Sequence, residues 1–117
     1  MTEIWQRFRE ASVLLAGHGP VKQRLMHAYL QHLADADPDE LIPEVQGDFE
    51  RLVTALTSAR ACGMRGSVEA SVLKMSEAEA GRHGASIVMM FAALSSRSTR
   101  TQAGRQPTQL RAVSNED

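Results

Sequence analysis

Five bulky apolar residues stand in succession in the stretch EAGRHGASIVMMFAALSS, and no other part of the chain restricts the fold as strongly as this run, Ile87 to Phe91. Neighbouring residues of an α-helix are ~100° apart, so five in a row point to every side. A helix that is apolar all round has to be covered all round. Two arrangements meet that condition. In one, the run is the central element of a small bundle, enclosed by the other helices of the same chain. In the other, one side packs inside and the side carrying Val88 and Met89 meets a partner.

Gly81 and Gly84 precede the run, set three residues apart. A glycine inside a helix costs about 1 kcal/mol relative to alanine, so two of them call for a compensating gain. Close approach of another helix is the usual one, and Ala78, Ala85 and Ala92 keep adjacent positions small as well. The approaching helix belongs either to the protomer's own core or to a partner.

Helical spacing recurs along the rest of the chain. Thr2 can cap a first helix whose apolar positions Ile4, Phe8, Ala11 and Leu15 share one face, and GHGP ends it. Pro20 suits the first position of a second helix, with Val21, Leu25, Ala28 and His32 on one line and Met26, Tyr29, Leu30 and Leu33 on the next. So wide a stripe predicts packing on more than one neighbour. Asp37 before Pro38, with Asp39 and Glu40 following, is a helix start in which carboxylates meet free backbone donors. Pro43 interrupts that turn, and Val45, Phe49, Leu52 and Leu56 then trace a third long helix expected to end near CGMRG.

The segment 67–75, SVEASVLKM, fits either period: Val68, Val72 and Met75 suit a helix, while Val68, Ala70 and Val72 suit a strand. Ser67 as a cap after Gly66 favours a short helix. Ser76 and Glu79 match a capping box that opens the last helix, with Ala80, Gly84, Ile87, Phe91 and Leu94 on its main face and a stop expected near Ser95. From Ser96 onward the composition turns to Ser, Thr, Gln and Arg. Such a segment buries too little apolar surface to offset its ordering entropy.

At 117 residues the chain has the size of a single domain able to bury one core. Its lone cysteine, Cys62, excludes an internal disulfide and suits a reducing compartment. The N-terminal MTEIWQRFRE is charged where a secretory leader needs an apolar run, so a cytoplasmic location is expected. The longest apolar run, Ile87 to Leu94, falls far short of the ~20 residues of a membrane span. Residues 1–95 hold 9 Lys/Arg against 12 Asp/Glu, and residues 96–117 hold 4 against 2. An acidic body disfavours general binding to a phosphate backbone.

No local constellation specifies chemistry. Asp35, Asp37 and Asp39 have the opening spacing of a calcium loop, but Glu40 replaces its glycine and Gln46 its closing glutamate. His27 and His32 lie on different sides of a helix, while Glu79 and His83 share one and read as a surface pair. Cys62, expected at a helix C-terminus, has the wrong end of the dipole for a reactive thiol. SVEASVLKM followed by SEAEAGRHGAS could form a helix-turn-helix, although its second helix offers only Arg82 and His83 to a groove. Trp5 and Phe8, with Arg7 and Arg9 beside them, read as core anchors of an amphipathic helix.

The expected structure is all-α: a compact bundle of four to five helices over residues 1–95 and a disordered Arg/Ser/Thr/Gln-rich tail over 96–117. The expected function is that of a small cytoplasmic interaction or regulatory protein acting through helix–helix contacts, without catalysis, cofactor, metal or membrane. Its partner-binding residues are Gly81, Gly84, Ala85, Val88, Met89 and Ala92, facing either an unidentified protein or a second copy. The alternative is a nucleic-acid-associated regulator using Arg97, Arg100, Arg105 and Arg111 of the tail.

Overall fold

The computed structural model describes residues 3–60 and 63–105, with side chains as far as Ser96. Five α-helices follow one another: α1 Ile4–Leu15, α2 Val21–Ala28, α3 Pro43–Leu56, α4 Gly63–Lys74 and α5 Glu77–Arg105, and no strand occurs among the described residues. The expected all-α bundle is what the chain forms.

In α1, Phe8, Ala11 and Leu15 are buried and Ile4 partly so, as their shared face requires. Its N-cap is Glu3, whose backbone N–H donates to Gln6 Oε1 at 2.9 Å; Thr2 lies outside the described residues. At the other end Arg24 does what GHGP cannot do alone. Its guanidinium donates to the free carbonyls of Leu15 and Gly19, and Gly19 turns the chain with a φ of 103°.

Pro20 is the N-cap of α2, one position earlier than its sequence signature suggests. Helix α2 passes directly into a π-helical turn, Tyr29–Leu33, closed by the Ala34 N–H on the Tyr29 carbonyl at 2.8 Å. Leu25, Ala28, Tyr29 and Leu33 are all buried, so both predicted lines of this wide stripe find cover. A single 3₁₀ turn, Pro38–Glu40, follows, and Asp37 Oδ1 accepts the Asp39 N–H at 2.9 Å. Helix α3 then restarts at Pro43 and buries Val45, Phe49, Leu52 and Leu56.

Helix α3 ends at Leu56, well before CGMRG, and Gly63 to Gly66 form the first turn of α4 instead. The stop is set by tertiary hydrogen bonds. Ser71, buried in α4, accepts the Ala59 N–H at 2.9 Å, and Ser67, one turn earlier, donates to the Ala59 carbonyl at 2.7 Å. Both backbone groups of Ala59 are thereby satisfied by α4 rather than by continuing α3. Ser67 is thus inside the helix, not its cap. Residues 67–74 are helical, with Val68 and Val72 buried, which settles the ambiguous period in favour of helix.

Ser76 and Glu79 form the capping box of α5: the Ser76 N–H donates to Glu79 Oε1 at 3.3 Å and the Glu79 N–H to Ser76 Oγ at 3.0 Å. Helix α5 continues past the expected stop at Ser95 to Arg105, while residues 106–117, the rest of the predicted tail, lie outside the described residues. It packs on α1, α2 and α3, whereas α4 packs on α2 and α3. Phe8 and Phe49 meet edge to face at the centre, ring centroids 5.9 Å apart at 62°.

Candidate interaction face

The enclosure of α5 is one-sided. Ile87 and Met90 are fully buried, and Ala80 and Leu94 line up with them on the core side. Val88 is 43% exposed and Met89 72%, on the opposite side. Of the two arrangements open to the run, the exposure of Val88 and Met89 does not fit enclosure within its own chain. With α4 seated on α2 and α3, the main neighbours of α5 are α1, α2 and α3, and they cover one flank of it.

The six residues predicted for partner contact fall on one stripe of α5. At ~100° per residue, Gly81, Ala85, Val88, Met89 and Ala92 lie within about 100° of one another, and Gly84 marks the edge next to α1. Ala85 and Ala92 are exposed with Val88 and Met89. Gly81, Gly84, Ala85 and Val88 also form the α5 wall of a shallow pocket of about 300 Å³, whose other wall includes Ser12 and Leu15 of α1 and its C-cap residue Ala16.

The two glycines part company here. A Cβ at Gly84 would sit 3.3 Å from Leu15 Cδ2, so Gly84 is buried and small because α1 crosses there. That is the protomer's own core. A Cβ at Gly81 would meet nothing within 4 Å. Inside the protomer, its helix-propensity cost of about 1 kcal/mol has no compensating contact. Ser12 Oγ, at the same seam, is buried without a hydrogen-bond partner among the described residues.

The remaining sequence candidates have structural employment. Arg7 donates to Asp35 Oδ1 at 2.7 Å and Asp37 caps its 3₁₀ turn, so two of the three calcium-loop aspartates are engaged in holding the fold. Glu79 accepts from Ser76 rather than forming the main partnership of His83. Among the described residues no three His, Cys, Asp or Glu side chains gather as a metal-ion group. Trp5 packs partly buried against the core. Cys62 and Arg111 lie outside the described residues, and of Arg97, Arg100 and Arg105 only the helical backbone is described. No described helix is long and apolar enough to cross a membrane.

Sequence reasoning missed the α1 side of this face. Ser12 of α1 and the C-cap residue Ala16 stand four apart, next to the buried Phe8–Ala11–Leu15 line, and only a small-residue count on both helices together would have signalled it. No protein-family model matches the chain, and no curated protein or solved structure matches it either.

Proposed function

We propose that this is a non-catalytic interaction protein, cytoplasmic and regulatory in character, that receives a partner helix on the open side of α5. The observation that carries the reading is the exposure of Val88 and Met89 in the middle of a stripe with no charged residue between Arg82 and Arg97. Water-exposed apolar stripes of this kind mark sites of association. The stripe suits a helix in particular. Small residues at Gly81, Ala85 and Ala92 let another backbone approach, and Met89, unbranched and polarisable, adapts to whatever meets it. The single cysteine supports the cytoplasmic part of the proposal.

The test is site-specific photocrosslinking in the native cell, with a benzophenone amino acid at Met89 and, as a control, at exposed Glu50 of α3. The reading expects a discrete covalent adduct from position 89 and none from position 50. Equal labelling from both positions, or no adduct at position 89, contradicts it.

A further inference from the structure

We infer that Met89 is an oxidative modification site, and that conversion of its thioether to the sulfoxide by hydrogen peroxide closes the α5 face to its partner. The inference rests on the interaction reading above and adds the regulation of that face.

The fold sorts the methionines by access. Met90 is 1% exposed, Met75 is buried and Met26 is packed partly buried against the core. Met64, in the first turn of α4, is 53% exposed, and Met89 is the most open of the described methionines. Met89 and Met90 are neighbours in sequence, yet a turn of ~100° carries one side chain into water and the other into the core. A solute as small as peroxide reaches Met89 directly, whereas it reaches Met90 only when the helices part locally.

The step balances with peroxide alone. The thioether sulfur attacks one peroxide oxygen, and the S–O bond forms as the O–O bond breaks. The departing hydroxide takes up the proton of the transferred oxygen and leaves as water. Sulfur is oxidised by two electrons and peroxide is reduced by two. Methionine sulfoxide reductases return the product to the thioether, so the change is reversible.

What separates Met89 from Met64 is its setting. Met64 lies on α4, outside the stripe, so oxidation there leaves association unchanged. Of the residues one turn from Met89 on α5, Ala85, Ala92 and Ala93 have no side-chain donor, and only Ser86 carries a hydroxyl. In the free chain water solvates the sulfoxide oxygen, and the fold is unaffected. Under a partner helix that oxygen loses its water in surroundings that are chiefly methyl groups. Burying an under-satisfied acceptor weakens association by about tenfold or more.

Peroxide treatment of the purified full chain, in a Cys62→Ser background that removes the thiol, tests both parts. Peptide mass spectrometry should find sulfoxide forming at Met89 and Met64 about tenfold or more faster than at Met75 and Met90, with the helical circular dichroism unchanged. Oxidation of Met90 as fast as Met89, or unfolding that accompanies Met89 sulfoxide, overturns the modification site. For the partner, the oxidised chain is freed of peroxide and returned to gel-filtered native cell extract, with a benzophenone amino acid at exposed Ala85 so that position 89 stays methionine. Adduct yield should fall about tenfold on oxidation and recover with methionine sulfoxide reductase. It should survive peroxide in Met89→Leu but not in Met64→Leu. A loss in Met89→Leu as great as in the parent chain, or full yield from a chain whose Met89 is completely oxidised, overturns the control of association. No adduct before oxidation defeats the interaction reading and this control with it, and sulfoxide confined to the open methionines then still upholds the modification site.

Discussion

Gly81 and Gly84 look alike in the sequence and behave oppositely in the fold. Gly81→Ala introduces a Cβ into open space, so it should stabilise the dilute monomer by up to about 1 kcal/mol, read as a higher urea midpoint. Gly84→Ala pushes against Leu15 Cδ2 and should recover less of that gain. Ser71→Ala leaves the buried Ala59 N–H without its acceptor and should cost about 1–3 kcal/mol in the same measurement. Tyr29, the only tyrosine, is held above its ordinary pKa of 10.0 by burial. The unfolded chain then releases this proton before the folded one does. Stability is independent of the phenol below pH 10 and falls as pH rises beyond it. Phenolate absorbance should therefore appear together with alkaline unfolding, and Tyr29→Phe should make the alkaline loss of stability shallower.

The helices were legible wherever one face alone is buried, because that condition imposes the 3.6-residue period directly: Phe8, Ala11 and Leu15 in α1, and Val45, Phe49, Leu52 and Leu56 in α3. Local capping was legible for the same reason, since Asp37 and Ser76 act within three residues of themselves. The end of α3 was not. It depends on Ser67 and Ser71 reaching Ala59 from the next helix, and no short-range pattern encodes that. The π turn at Tyr29–Leu33 left no mark on the sequence for a similar reason, because its apolar residues fit an ordinary helix equally well. The stop expected for α5 at Ser95 followed from the loss of apolar residues there, yet Ser, Thr, Gln and Arg are compatible with helix once it has begun. Since Leu94 is the last described residue to be buried, ending the chain after Ser96 should leave the dilute monomer's thermal midpoint nearly unchanged, a difference of less than about 0.5 kcal/mol. A large loss on truncation would show that the last turns of α5 contribute to the core.

Across the molecule, the candidate face arises from how five helices share their surfaces. Helix α5 has a complete apolar circumference, but α1, α2 and α3 close over one flank only, and α4 is placed on α2 and α3. The sequence could state that Ile87–Phe91 must be covered. It could not state which flank the chain would leave open, because that is decided by where α4 goes, and α4 goes where Val68 and Val72 are buried. Two adjacent methionines separate the covered flank from the open one, and substituting each by glutamate reads the difference in a single pair of denaturation curves. In dilute solution Met89→Glu should retain the helical circular dichroism and urea midpoint of the unsubstituted protein. Met90→Glu, which places an unpaired carboxylate in the core, should cost about 4 kcal/mol or more and leave the chain largely unfolded. Equal tolerance of both substitutions, or unfolding by Met89→Glu, would contradict the one-sided burial of α5 on which the interaction face depends.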